Sequence, residues 1–166
     1  VQVTHDPLRV YVMGDRAVAE ESATAQDIAE MQRLTREALE AGAVGFSTGR
    51  SDVHRSADGE WTPSSEANAA ELTGIAKAFA GLKHGVLQAV NDFNLEREGD
   101  AFDEEFDLLE RFTEASEGHP FSLSLMQRDF APEQWRRILA RTESAVARGL
   151  NIRLQTAPRG IGVITG

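Results

Sequence analysis

The sequence of 166 residues contains no cysteine, and this absence removes several kinds of chemistry at once. Without cysteine these residues can form no disulfide, no thiolate metal site and no cysteine nucleophile. Any catalytic site that they contribute to must therefore use other side chains.

Long apolar runs and an excess of positive charge are missing as well. No apolar run approaches the roughly 20 residues that span a bilayer, and no segment has the pattern of a signal peptide. The net charge is −10, which argues against nucleic acids and anionic membranes as partners. The default expectation is a cytoplasmic globular protein that acts on a small molecule.

Several common binding motifs are also missing. The chain has no G-x-G-x-x-G fingerprint and no P-loop, so the nucleotide-binding kinds of open α/β sheet lack support. It has no H-x-H or H-E-x-x-H pair, and its four histidines are isolated from one another. We therefore predict no metal ligand among these residues.

The sequence does contain an alternation of apolar, strand-like runs with helical patterns. Strands are predicted at residues 1–5, 8–13, 44–47, 86–90, 120–126 and 151–156. From the third run onward they recur about every 30 to 40 residues, which is typical of βα units in a parallel sheet. The predicted fold is α/β, with successive βα units and parallel strands, either in an open doubly wound sheet or in part of a (β/α)8 barrel. Val1 and Gly166 look like cut ends, which favours the partial barrel.

Capping residues predict where the helices begin. Thr24 followed by Asp27 indicates a capping box. Ser64 or Ser65 is expected to cap the next helix, and Pro132 to open the last one. A long acidic helix is expected before it, with apolar residues facing inward at Phe102, Phe106, Leu109 and Phe112.

Polar side chains follow the ends of most predicted strands. In parallel βα proteins, ligands bind beyond the carboxyl ends of the strands. His54 is the candidate catalytic residue, as a general base or oxyanion donor, with a solvated loop histidine as the alternative. The candidate substrate-binding residues are Ser47, Thr48, Arg50, Arg55, Gln88, Asn91, Gln127, Gln155 and Arg159.

Some of these candidates have two interpretations. Gln88 and Gln127 lie at the ends of apolar strands, where they either bond to backbone carbonyls or line a polar pocket. Arg159 either grips a carboxylate with two hydrogen bonds or forms a structural ion pair. His84 and His119 precede strands, at the opposite end of the sheet, and are expected to be structural or solvent-facing.

Residues 8–14 (LRVYVMG), 41–48 (AGAVGFST) and 155–159 (QTAPR), taken together, resemble D-aminoacylases. These are the N-acyl-D-amino-acid deacylases of the amidohydrolase superfamily. The resemblance runs from about His5 to the end of the chain and is strongest between Met13 and His54. It implies a (β/α)8 metallohydrolase barrel, of which residues 1–166 form one α/β domain, a central slice. It also implies hydrolysis of the non-peptide amide bond of N-acyl-D-amino acids by a zinc-bound water.

The resemblance places the family's paired histidines and its last-strand aspartate outside this chain. Two further metal histidines of the family fall at the ends of the strands at residues 86–90 and 121–127, where this sequence has none. Zinc is thus implied for the intact family, and no metal ligand is assigned to these residues. Arg50, His54 and Arg55 are interpreted as this branch's own catalytic or substrate-binding residues.

The leading hypothesis is a piece of an amide-hydrolysing enzyme that is inactive on its own. In it, Arg159 or Arg50 would hold the substrate carboxylate, while Gln88 and Gln127 orient the amide. A metal-free lyase or isomerase on the same barrel and a non-catalytic α/β domain remain as alternatives. Exposed edges of a partial barrel also predict self-association.

Overall fold

A computed structural model describes residues 1–51, 54–93, 101–129 and 131–160, so that Gly166 lies outside the described residues. Five strands form one sheet, in which their order is the same as along the chain and every neighbouring pair is parallel. The predicted α/β fold of successive parallel βα units is confirmed. The strands are β1 (Val3–Thr4), β2 (Gly45–Arg50), β3 (Val86–Asn91), β4 (Phe121–Ser124) and β5 (Ile152–Gln155).

Helices occupy each connection between the strands. Three of them lie between β1 and β2, namely α1 (His5–Met13), α2 (Asp15–Val18) and α3 (Ala25–Glu40). The next connection holds α4 (Ala69–Ala76) and a 3-10 helix (Lys77–Phe79), and the last two hold α5 (Phe102–Glu114) and α6 (Gln134–Ala147). None of the helices in the described ranges is long and apolar enough to cross a membrane.

The hydrophobic core lies between the helices and one face of the sheet. Each connection leads to the next strand in the same direction across the sheet. Because such crossovers are right-handed, their helices all lie on the same face of the sheet. One apolar row crosses the four longer strands on that side, and its members are at most 2% exposed: Phe46, Leu87, Phe121 and Ile152. Phe112 of α5 makes edge-on ring contacts with two of them, at centroid distances of 6.1 Å to Phe46 and 5.7 Å to Phe121.

The predicted strand at residues 8–13 is wrong, because this segment belongs to helix α1. The buried positions of α1 are 5, 8, 9 and 13, which is helical spacing. Two of these positions are polar, His5 and Arg9, and their polarity hides the helical period in the sequence. Val10 and Tyr11 lie on the exposed side of α1.

The helix caps agree with the sequence in one case and differ in another. The capping box of α3 is confirmed, since Asp27 N donates to Thr24 Oγ1 at 3.2 Å and Thr24 N donates to Asp27 Oδ2 at 2.9 Å. The cap of α4 is Asn68 rather than Ser64 or Ser65, because Glu71 N donates to Asn68 Oδ1 at 3.0 Å. Helix α6 begins two residues after Pro132.

Two glycines allow close packing between neighbouring elements. A Cβ added at Gly45 would lie 1.9 Å from the carbonyl oxygen of Val86, so β2 and β3 require glycine there. A Cβ at Gly74 would lie 2.2 Å from Cγ2 of Ile28, where α4 contacts α3. Side chains at either position would push the neighbouring elements apart.

Candidate functional site

The sheet face that points away from the helices is polar and forms the candidate functional site. We call it the open face, and define it by the residues that alternate with the core-facing ones. It carries no Asp or Glu within the described strands. Its residues are Thr4, Gly45, Ser47, Gly49, Val86, Gln88, Val90, Ser122, Ser124, Arg153 and Gln155.

The strand register aligns one polar row across all five strands. Thr4 is level with Ser47, Ser47 with Gln88, Gln88 with Ser122, and Ser122 with Arg153. Neighbouring strands lie about 4.8 Å apart, so hydroxyl, amide and guanidinium groups succeed one another at that spacing. Such a row offers hydrogen-bond donors and acceptors to a polar ligand.

Ser47 and Gln88 meet in the centre of this row. Ser47 is buried, and its Oγ accepts a 2.8 Å hydrogen bond from Gln2 Nε2. Gln88 is half-buried. Both are predicted site residues that the fold brings onto the same face.

His54 lies beside the open face at the carboxyl end of β2. A Cβ added at Gly49 would come within 3.2 Å of His54 Nδ1, so the imidazole lies beside the Gly49 backbone. The His54 backbone N–H donates to the Ser51 carbonyl at 3.1 Å. The side chain itself is exposed to solvent. An accessible imidazole near polar groups can accept or donate a proton.

Arg55 follows His54 and contacts Trp61. The two residues form an isolated antiparallel bridge, and the Arg55 guanidinium carbon lies 4.8 Å from the centroid of the Trp61 ring. This cation–π contact holds the loop after β2 together.

Arg50 points to the helical side of the sheet. Its Nε and Nη2 donate to the two carboxylate oxygens of Glu105 on α5, the second at 3.0 Å, and its Nη1 donates to the Ala67 carbonyl at 2.7 Å. Asn91 also faces this side, and its Nδ2 donates to Glu105 Oε1 at 2.7 Å. The structure therefore separates Arg50 and Asn91 from the open face. Their predicted roles in substrate binding stay predictions.

Thr48 belongs to a second buried polar cluster, whose other members are not among the predicted site residues. Thr48 Oγ1 lies 2.9 Å from His5 Nδ1, and His5 Nε2 lies 2.9 Å from Glu71 Oε1. Arg9 Nε donates to the same carboxylate oxygen at 2.9 Å. This network requires His5 Nε2 to donate to Glu71 Oε1, because a carboxylate can only accept hydrogen bonds. Its hydroxyl–imidazole–carboxylate order resembles a catalytic relay, but Thr48 is only 3% exposed and faces the helices. The cluster connects α1, β2 and α4.

The end of β3 is held by a third network that includes a strained residue. Phe93 has φ of 62°, which is in the left-handed region, and its N–H donates to Asn91 Oδ1 at 2.6 Å. Arg128 Nη2 donates to the Asn91 carbonyl at 3.0 Å, and Gln134 Nε2 donates to the Asp92 carbonyl at 3.3 Å. Burial lowers the pKa of Arg128, while nearby Asp92 opposes that shift. These bonds fix the loops after β3 and β4 relative to each other.

The remaining candidates lie at the far side of the site. Gln155 ends β5 on the open face and is exposed, as is Gln127 in the loop after β4. Arg159 is exposed beyond β5, and no carboxylate in the described ranges lies within ion-pair distance of it. The structure thus brings Ser47, Gln88 and Gln155 onto one face.

His84 and His119 are structural, as expected. His84 Nε2 lies 2.9 Å from the Leu39 carbonyl. His119 is buried, and its ring nitrogens lie 3.0 Å from the Phe79 carbonyl and 3.3 Å from the Gly85 carbonyl.

Within the part of the chain that the structure describes, no group of three or more histidine, aspartate or glutamate residues is placed to hold a metal ion. Comparisons of this chain with protein-family models, curated proteins and solved structures find no significant match.

Proposed function

We propose that this chain supplies part of the substrate-binding wall of a (β/α)8 amidohydrolase, which hydrolyses the amide bond of N-acyl-amino acids. One observation carries the proposal: the sheet is parallel, sequentially ordered and covered by helices on one face, with a polar opposite face and His54 at its carboxyl end. In a closed barrel the open face becomes the interior, and active sites form at the carboxyl ends of the strands. Residues 1–166 would then be a central slice of that barrel.

The neutral groups of the open face suit an amide substrate. An amide carbonyl accepts hydrogen bonds and an amide N–H donates one, and the side chains of Ser47, Gln88 and Gln155 offer both functions. Gln127, in the loop after β4, would supply a further hydrogen bond to the amide. These side chains are neutral, so they orient the amide through hydrogen bonds and place no ionised group beside the scissile bond.

His54 would serve as the proton-transferring group. Its imidazole is accessible at the end of β2, where it can accept a proton from an attacking water and deliver it to the departing amine. Arg55 and Trp61 hold the loop that carries it. For the substrate carboxylate, Arg159 is a better candidate than Arg50, because Arg50 is already bound to Glu105.

The described residues do not fit the zinc ion that the family resemblance implies. We therefore derive no step through a metal from this chain. Its own residues bind and orient the acyl-amino acid and move a proton at His54. The backbone edges of β1 and β5, each paired on one side only within the described residues, would join further strands of the barrel or a second copy of the chain.

Kinetics of the full-length protein test the role of His54. The H54A variant should lose about 10²- to 10⁴-fold in kcat/KM on N-acetyl-amino acids, which is the usual contribution of a general acid–base. H84A is the matched control, because His84 lies at the opposite end of the sheet, where its Nε2 is 2.9 Å from the Leu39 carbonyl. An unchanged kcat/KM in H54A would overturn its proposed role.

Metal analysis of the same protein separates the two catalytic hypotheses. About one equivalent of bound zinc together with amide hydrolysis supports the hydrolase. Turnover of an N-acyl-amino acid by elimination or isomerisation, with no release of the acyl group, would instead favour the lyase or isomerase alternative.

A further inference from the structure

Gly49 lies within strand β2, where glycine weakens the fold. It stands between Thr48 and Arg50, and its backbone pairs with Val90 of β3. Glycine loses more conformational freedom on folding than alanine does, and it adds no side chain to the packing of the sheet. Its backbone is outside the left-handed region that favours glycine. The strand itself therefore gives no reason for glycine at this position.

The space beside Gly49 is occupied by the imidazole of His54. Within the described residues, and apart from the neighbours of Gly49 in the chain, an added Cβ would approach only His54 within 4 Å, at 3.2 Å from Nδ1 and 3.8 Å from Cε1. An unstrained contact between such atoms is about 3.5–4.0 Å long, so the imidazole would have to move. An added Cβ at Gly45, on the same face of β2, would instead meet the backbone of Val86. Glycine at position 45 thus makes room for a strand, whereas glycine at position 49 makes room for an imidazole.

The effect of a side chain at position 49 on stability follows from which atoms would move. His54 is exposed, so its side chain can turn away from a methyl group without disturbing the core. Alanine generally stabilises a protein where it can adopt the backbone conformation of the glycine it replaces, because it restricts the unfolded chain. G49A should therefore be at least as stable as the wild type. A residue that weakens its strand and makes room only for an imidazole indicates a role at that imidazole.

We propose that Gly49 is a positioning residue for His54. The missing side chain lets the imidazole lie against β2, beside the open face, where it can transfer a proton. This inference rests on the proposed function, in which His54 is the proton-transferring group. Ser47 precedes Gly49 by two residues on the same face, roughly 6.6 Å along the strand. An imidazole held beside Gly49 is therefore within reach of an amide bound at Ser47.

Kinetics and thermal unfolding of G49A, measured on the full-length protein, test this role. The kcat/KM on N-acetyl-amino acids should fall about 10- to 100-fold, the effect of a misplaced catalytic group, while Tm stays unchanged or rises. G49V, which has a bulkier side chain, should lose at least as much activity. If the wild type hydrolyses these compounds, an unchanged kcat/KM in G49A overturns the proposal. A fall in both Tm and kcat/KM would assign Gly49 to the fold and overturn it as well.

The H54A background separates positioning from direct obstruction of the substrate. If the added methyl group acts through the imidazole, G49A should change kcat/KM less than twofold once residue 54 is alanine. An equal loss with and without His54 would mean that the methyl group meets the substrate itself, and the proposal would then be wrong.

NMR of the imidazole signals distinguishes failure of this inference from failure of the proposed hydrolysis. The Cε1–H signal that is missing from the spectrum of H54A identifies His54. It should shift in G49A and stay in place in G160A, a matched control whose added Cβ has no atom within 4 Å among the described residues. A shift in G49A alone supports the positioning role even if the wild type hydrolyses no N-acyl-amino acid. An unshifted His54 signal in G49A overturns the inference, and leaves the hydrolase proposal standing if the wild type hydrolyses the amide.

Discussion

Replacing Glu105 by glutamine probes the buried ion pair that holds β2 to α5. The carboxylate of Glu105 accepts hydrogen bonds from both Nε and Nη2 of Arg50 and from Nδ2 of Asn91, and the Arg50 and Glu105 side chains are at most 7% exposed. Glutamine keeps the shape of the side chain but removes its charge, and it turns one acceptor towards the guanidinium into a donor. E105Q therefore leaves Arg50 as a buried, uncompensated cation.

The expected loss is large, because removing one partner of a buried pair costs about 3–5 kcal/mol. For a chain of this size, each kcal/mol lowers Tm by about 2–4 °C, so Tm should fall by about 6–20 °C. Urea denaturation of the protein and of E105Q measures the free energy directly. The double variant R50M/E105Q should recover most of the loss, because it removes both charges and leaves an amide oxygen for Asn91 to bond.

Two results would contradict this account of Arg50. A loss below about 1 kcal/mol in E105Q would mean that water reaches the pair and screens it. A stably folded R50M/E105Q variant whose KM for an N-acetyl-amino acid rises more than tenfold would show that Arg50 binds substrate, as the sequence suggested.

Two further predictions concern the helices. The hydrogen bond from Arg16, and after it those from Thr24, hold the pKa of Asp27 well below its usual range. The ionised Asp27 carboxylate therefore stabilises the fold fully above about pH 4, the pKa of an unperturbed aspartate. This stabilisation declines as the pH falls through the lowered pKa of the folded state. Urea denaturation should therefore show that D27N lowers the free energy of unfolding by about 1 kcal/mol at pH 7. The difference in unfolding free energy between wild type and D27N should become smaller below about pH 4. A difference that does not change with pH would contradict this prediction. G74A should lower the free energy of unfolding by about 1–3 kcal/mol, because the added methyl group would meet Ile28. The double variant G74A/I28A should lose less stability than the sum of the losses in the two single variants. Strictly additive losses would disprove the contact.

Hydrophobic patterning predicted the later strands well but not their ends. The predicted runs at residues 44–47, 86–90, 120–126 and 151–156 each overlap an observed strand, because each bears apolar residues that the core requires. Strand β2 continues to Arg50, three residues beyond its predicted end. Thr48 and Arg50 resemble loop residues in the sequence, yet their backbones pair with Ala89 and Asn91 in the sheet.

The face to which each site residue points could not be predicted from its position alone. Ser47 and Thr48 are adjacent in the sequence, but strand geometry sends them to opposite sides of the sheet. Assigning the side requires the strand register, and the register is set by pairing with β3 about 40 residues later.

The buried ion pairs were equally hidden from sequence reasoning. Glu71 lies 66 residues from His5, and Glu105 lies 55 residues from Arg50. No local spacing links such partners, and the acidic helix that contains Glu105 has the composition of a solvated surface. Only the packing of α4 and α5 on the sheet selects which of their carboxylates become buried.

The alternation along β2 has a consequence for how this scaffold can change during evolution. Thr48 and Arg50 anchor the strand to the helices, whereas Ser47 and Gly49 lie on the opposite side and take no part in those anchors. Mutations at open-face positions therefore leave the buried charge networks intact. Apart from Gly45, where the close approach of β3 requires glycine, these positions can acquire new ligand preferences one side chain at a time, while the helical side continues to specify the fold.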